Sequence, residues 1–260
     1  TQTYTPTNTP TITPTPTVTN TPTETMTPTV TNTPTATATP TTTPTGIVQV
    51  APTVIATIPN VPTANWVIVD PVTHRLWGTL RDLDQVRVYD PVTFAQVPGS
   101  PITVGRNPYG MAIVGRLLYV ANHDASFPSG TCTGPGSISV INMDTLTEIA
   151  RLTLDPCSKP TFPVADPVSG RVFVPLNGST RFVVLQGTSI LRYVNIPSPN
   201  SGPWGAALDA DPSSRRLYIG TRNGCAVHVF YLDSTSEAWI GPIYPGGQVY
   251  SMGVNRTLGY

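Results

Sequence analysis

The sequence predicts an all-β fold, a β-propeller of four-stranded blades with four blades complete and one partial, preceded by an extended N-terminal tail. Three observations predict it. First, Arg116-Leu117-Leu118-Tyr119-Val120-Ala121-Asn122 has imperfect copies at Arg75-Leu76-Trp77-Gly78-Thr79, Arg171-Val172-Phe173-Val174-Pro175 and Arg216-Leu217-Tyr218-Ile219-Gly220. Second, the aromatic anchors of these copies, Trp77, Tyr119, Phe173 and Tyr218, lie 42, 54 and 45 residues apart. A repeat of that length made of short strands is the signature of one propeller blade. Third, the 260 residues divide by composition. Residues 1–45 carry Thr at every odd position, whereas residues 46–260 spread Val, Ile, Leu, Tyr and Trp evenly. The second part, of about 215 residues, is long enough for one sizeable core, so one folded domain and a tail are expected.

In the tail, strict period two and abundant Thr favour a strand. Prolines at 6, 10, 14, 16, 22, 28, 34, 40 and 44 remove the ladder donors a strand needs. The segment has little apolar surface to bury and a single charge, Glu24. Its expected state is extended and solvated, with polyproline II character and a reach of roughly 140 Å. Thr/Pro-rich tracts of this kind are typical of O-glycosylated stalks; an unmodified spacer is the plainer alternative. The tract resembles the Thr-Pro linkers of bacterial envelope proteins, which implies an extracellular or cell-surface location.

After the tail, Gly46–Val50 and Val54–Ile58 are short apolar runs that match the end of a repeat, like Ser137–Ile141 and Glu148–Leu152. They read as outer strands of a closing blade whose inner strands come from the other end of the chain. The repeats then align. First strands are expected at Trp66–Val69, Gly110–Val114, Phe162–Ala165 and Gly205–Leu208. A turn follows at Asp70-Pro71, Asp166-Pro167 and Asp211-Pro212, where Asp accepts from the backbone ahead of it and Pro presets φ. The organising motif is the second strand. Third strands are expected at Val86–Tyr89, Ile138–Ile141, Phe182–Leu185 and Val227–Phe230, and Thr147–Leu154 typifies the fourth. The last turn-like stretch, Val254–Tyr260, leads toward a second strand that the sequence does not contain. The chain therefore reads as truncated, or as needing a strand from elsewhere, because an open edge invites aggregation.

The balance of charge narrows the function classes. Formal net charge is zero and Lys159 is the one lysine. Nucleic-acid binding needs a basic stripe against phosphates, and none is present. No apolar run approaches the roughly 20 residues of a membrane span. The lack of an initiator Met and of a signal peptide reads as a processed chain or a fragment.

The order Leu118-Tyr119-Val120-Ala121-Asn122, Ile138-Ser139-Val140-Ile141-Asn142, a Thr-rich turn and a strand ending before Pro resembles the YVTN-type β-propeller repeat. The resemblance covers residues 46–260 and is best in the second blade; the third and fourth lose the Asn after the second strand. It implies a propeller similar to secreted or periplasmic seven-bladed ones that bind or scaffold, with lactonases and amine dehydrogenase subunits as relatives. Propellers host many unrelated activities, so fold alone does not assign one.

In such blades the loop between second and third strands and the entry to the first strand share one face. The long loop from His123 to Pro135 falls there, as do Cys132, Cys157 and Cys225, and Arg106, Asn107, Tyr109, Lys159, Phe162 and Trp204 at strand entries. Cys132 and Cys157 are candidates to bridge, which an exported protein permits, leaving Cys225 free or paired outside the chain. A metal site is not expected, since no C-x-x-C pair occurs, and Asp82 with Asp84 or Asp209 with Asp211 lack the ligand number of a calcium loop. His74 reads as a solvated turn residue and His228 as a structural residue on an outer strand. His123, beside Asp124, is the histidine placed for ligand or general-base chemistry; a surface loop is its plain alternative. No G-x-S-x-G, H-E-x-x-H or phosphate-loop pattern appears, and no cofactor is implied.

The leading expectation is a non-enzymatic binding or scaffold propeller on its stalk. It would meet a protein partner, a glycan or another copy of itself through Arg106, Tyr109, His123, Asp124, Lys159 and Trp204. The alternatives are an exported lactonase-like or other hydrolytic enzyme and a self-assembling surface-layer or fibre component.

Overall fold

Four antiparallel sheets follow one another along the chain, each of four strands taken in sequence order. The structure, a computed structural model, describes residues 53–54, 57–58, 61, 64–125, 131–132, 134–197, 202–209, 213–250 and 252. The chain divides into two compact units, residues 1–52 and 53–260; the first, with the stalk, lies outside the described residues.

The first blade is β1 (Ala64–Val69), β2 (Leu76–Leu80), β3 (Gln85–Tyr89) and β4 (Ile102–Thr103). The second is β5 (Pro108–Val114), β6 (Leu117–Asn122), β7 (Pro135–Asn142) and β8 (Thr147–Pro156). The third is β9 (Val164–Ala165), β10 (Arg171–Leu176), β11 (Arg181–Gln186) and β12 (Ser189–Asn195). The fourth is β13 (Pro203–Leu208), β14 (Arg216–Thr221), β15 (Val227–Leu232) and β16 (Glu237–Ile243). All four blades expected from the repeat are present. Among the described residues the only helix is a single 3-10 turn, Arg81–Leu83, and no helix is long and apolar enough to cross a membrane.

One strand expectation is corrected. Val54, Thr57 and Ile58 belong to no strand: each of the four sheets takes its strands from one repeat, and among the described residues no inner strand of a closing blade is present for them to pair with; Ile55 and Ala56 lie outside the described residues. Gly46–Val50 lies outside the described residues. No strand follows β16 among the described residues, and the start of the partial fifth blade at Val254–Tyr260 lies outside them.

The turns form as Asp and Pro chemistry dictates. Asp70 accepts the Val72 amide (2.9 Å) and the Thr73 hydroxyl (2.6 Å). Asp166 does the same with Val168 and Ser169, and Asp90 with Val92 and Thr93. Two of these carboxylates also join blades. Arg116, just before β6, donates two bonds to Asp70 of the preceding blade (2.8 and 3.0 Å). Arg215, just before β14, does the same to Asp166 (3.2 and 2.8 Å). Burial pushes the Asp70 carboxyl up, but the Arg116, Thr73 and Val72 bonds outweigh it and hold it well below the usual carboxylate range.

Between blades lies the apolar core. Trp77, Val86 and Val88 of the first blade meet Leu118, Val120 and Ile141 of the second. Tyr119 and Val140 meet Val172, Val183 and Leu185, and Phe173, Phe182 and Val184 meet Leu217 and Phe230. The period-2 alternation of each strand thus feeds two junctions, one from each face. The anchors Trp77, Tyr119 and Phe173 are fully buried against the next blade.

Candidate functional site

In three blades the loop after the second strand folds back on the segment entering the first. The His123 amide donates to the Asn107 carbonyl (2.9 Å), Asn177 to Lys159 (3.0 Å) and Arg222 to Gly202 (3.1 Å). These loops and entries form one face, and it carries all six residues expected to bind: Arg106, Tyr109, His123, Asp124, Lys159 and Trp204. The backbone there is unusual. Asp84, Asn107, Asp124, Cys157, Lys159 and Cys225 all have φ between 47° and 59°, a left-handed region that non-glycine residues seldom enter and that gathers at functional sites.

A disulfide fixes the long loop of the second blade to this face. Cys132 and Cys157 are bonded, with Cα atoms 5.4 Å apart. Cys225 is a free thiol, half-buried.

The face centres on aromatic rings delivered by successive blades. Trp66 comes from β1, Tyr109 from β5, Phe162 from the approach to β9, Trp204 from β13, and Tyr250 from beyond β16. Ring centroids lie 4.9 Å apart for Trp66 and Phe162, 6.0 Å for Tyr109 and Phe162, 6.3 Å for Phe162 and Trp204, and 6.0 Å for Trp204 and Tyr250. The rings can approach because Gly110 has no Cβ: one added there would lie 2.7 Å from the Phe162 Cα. The ring-bearing backbone is pinned between blades. Thr79 Oγ1 donates to the Tyr109 carbonyl (2.8 Å), and the Phe162 amide donates to the Trp204 carbonyl (3.4 Å). None of the five rings is fully buried. The Arg222 guanidinium sits over both Trp204 (5.4 Å) and Tyr250 (5.3 Å).

His123 is not a surface-loop residue. It is 6% exposed and stacked on Tyr109 at 4.4 Å, because the β5 entry and the β6 end are neighbours in one sheet. Burial, and secondarily the Lys159 ammonium, push its imidazole from 6.5 down to about 4, so it is neutral at pH 7. Neither of its ring nitrogens has a hydrogen-bond partner among the described residues. Asp124 does not pair with it but faces Arg106, at 3.8 Å.

The other two histidines take no part in this face. His74 is an exposed turn residue whose amide donates to the Asp70 carbonyl. His228 is buried in β15 at the junction of the third and fourth blades. No cluster of three His, Cys, Asp or Glu able to hold a metal occurs among the described residues. Asp82 pairs with Arg81 (3.0 Å) and Asp84 accepts the Asn107 amide (2.8 Å).

Sequence reasoning passed over Trp66, Tyr250 and Arg222. A signal was available for two of them. Tyr109, Phe162 and Trp204 each follow a proline by one or two positions at the start of a first strand. Aligning first strands on that aromatic brings in Trp66 and Tyr250. Arg222 has no such repeat partner.

Comparison with solved structures shows what the arrangement is built on. No family model and no curated protein matches the sequence. A protein of unknown function from Desulfotomaculum acetoxidans superposes with a TM-score of 0.58 at 6% identity, over 74% of this chain. A catalytically inactive histidine-to-alanine variant of virginiamycin B lyase from Staphylococcus aureus, with quinupristin, gives 0.56 at 15% over 72%. A 6-phosphogluconolactonase-like protein from Bacteroides uniformis gives 0.55 at 16% over 71%. This chain is a β-propeller. At such identities the likeness carries the fold alone, and the propeller here spans between 57% and 59% of the length of those three proteins.

Proposed function

We propose that the chain is an exported, cell-surface binding module: a YVTN-type propeller on a Thr-Pro stalk that engages its partner through the ring-bearing face. The observation that carries this reading is the convergence of Trp66, Tyr109, Phe162, Trp204 and Tyr250 from successive blades, each ring left partly open to solvent. Aromatic side chains dominate binding energetics because they bring large, rigid apolar area at little entropic cost. The stalk supports the reading, since a tract reaching roughly 140 Å serves display at a distance. O-glycosylation of its threonines would protect it there. Retention on isolated bacterial envelopes tests the proposal: the protein should be held, and a Tyr109→Ala/Trp204→Ala variant with an unchanged melting curve should wash off. Equal retention of both proteins would remove this face.

A second reading, an exported lactonase- or lyase-like enzyme, is favoured by one observation. His123 is unprotonated at pH 7 and has no hydrogen-bond partner among the described residues, so its nitrogens are uncommitted, while its lowered basicity makes it a weak proton acceptor. A lyase of the same fold loses activity when one histidine becomes alanine. Turnover of a lactone panel that vanishes in His123→Ala would establish this reading, and absence of turnover would dismiss it.

A further inference from the structure

We infer that His123 is an acid-sensitive latch on the ring-bearing face: taking up a proton drives its imidazole out of the Tyr109 stack and parts the end of β6 from the entry to β5, while the four blades stay paired. Three features of the face carry this. The first is the enclosure of the imidazole by rings. It lies on Tyr109 at 4.4 Å and within 6.3 Å of Trp204. It is 6% exposed, and neither nitrogen has a hydrogen-bond partner among the described residues. A neutral ring fits such a place. A charged one would lose its hydration there and gain no hydrogen bond in exchange. The second feature is the charge brought by each neighbouring element. The approach to β9 brings the Lys159 ammonium, which disfavours a second cation. The entry to β5 brings Arg106 and the Tyr109 phenol, and from β13 comes Trp204, with the Arg222 guanidinium over its ring. The carboxylates of this region are turned to other groups. Asp124 faces Arg106 at 3.8 Å, and Asp84 accepts the Asn107 amide at 2.8 Å. An imidazolium formed in place would thus meet cations and have no carboxylate bonded to it.

The third feature is the backbone that holds the ring, which is weak where the ring sits. The His123 and Asp124 amides donate to the Asn107 and Arg106 carbonyls (2.9 and 3.2 Å). Next to them the ladder between β5 and β6 is irregular, its register shifting between Pro108 and Met111, and Pro108 has no amide hydrogen to give. Asn107 and Asp124 flank this pairing at φ of 52° and 51°, a left-handed conformation that costs energy in non-glycine residues and that parting releases. The regular pairing from Met111–Val120 to Val114–Leu117 is left intact. The closed face refuses a proton that the parted face accepts. Opening therefore becomes easier as the pH falls below 6.5, by about tenfold per unit, until the closed form itself protonates at about 4.

Amide hydrogen exchange of the whole chain, followed by NMR between pH 7 and 5 and corrected for the intrinsic rate at each pH, tests the latch. Protection of the His123 and Asp124 amides should fall about thirtyfold from pH 6.5 to 5. It should change little with dilute urea, because a local opening exposes little surface. Amides of β10 and β11 should stay far better protected and respond steeply to urea. In His123→Phe, which keeps a ring on Tyr109 and has no nitrogen to protonate, the acid loss of protection at the same two positions should disappear. Protection at His123 and Asp124 that holds constant with pH would overturn the latch. So would protection there that follows urea as steeply as the core does, since only global unfolding would then reach these amides. Acid opening that persists in His123→Phe would overturn it as well.

Discussion

His123 shows how burial of a single residue becomes a dependence on pH. Its folded-state imidazole titrates near 4 and its unfolded one near 6.5. Below 6.5 the unfolded chain takes up a proton that the folded one refuses. The stability His123 permits is therefore full above 6.5 and is lost as the pH falls toward 4, by about 3 kcal/mol. The groups facing it are the Lys159 ammonium, which deepens the effect, and the Tyr109 ring; Asp124 is engaged by Arg106. His228, pushed down by burial, adds to the same slope, whereas the depressed carboxyls of Asp70 and Asp166 act only below the ordinary carboxylate range. Urea midpoints measured from pH 7 to 4.5 should fall in the wild type and fall less steeply in His123→Phe; parallel curves would show that His123 titrates normally. The sequence placed His123 correctly at a strand end on the loop-rich face. It did not reveal the burial, which depends on Tyr109 arriving from the neighbouring strand.

Among elements, the turn between the first and second strands of a blade does two jobs. Its Asp closes the turn and also takes the guanidinium of the next blade, at Asp70–Arg116 and Asp166–Arg215. Replacing Arg116 with Ala leaves a buried carboxylate without its cation and is expected to cost on the order of 2–3 kcal/mol. The exposed Arg151–Glu148 pair is a control whose loss should cost under about 0.5 kcal/mol. Equal urea midpoints for the two variants would show that the junction pair does not hold the blades. The disulfide acts on the long loop. A Cys132→Ser/Cys157→Ser protein, with its 25-residue separation unclosed, should lose about 3 kcal/mol and gain protease cleavage between Asp124 and Pro135; unaltered proteolysis would contradict that. The second strands were legible because basic residue, aliphatic and aromatic recur in order. The thin elements were not. β4 is two residues long beside Pro98 and Pro101, and β9 two residues long after Pro163, since proline removes the donors that would extend them. The strand expected at Val54–Ile58 finds no inner strand of a closing blade to pair with among the described residues.

For the molecule as a whole, the blades repeat one junction and the ring-bearing face repeats one position. Trp77, Tyr119 and Phe173 are sealed by the following blade, while Tyr218 of the fourth stays half-buried and Tyr231, Trp239 and Ile243 lie exposed. The fold was readable from the sequence because period and strand alternation are local. That the six expected residues share one face was readable from the repeat, but the contacts among the rings were not, because Trp66, Tyr109, Phe162, Trp204 and Tyr250 meet only when the entries of successive blades and the segment beyond β16 are brought side by side. The most direct measurement is retention on isolated envelopes, wild type beside Tyr109→Ala/Trp204→Ala, with melting curves in parallel. Wild-type retention lost in the double variant at an unchanged melting temperature is the predicted result; equal retention of two equally stable proteins would contradict the ring-bearing face as the site of binding.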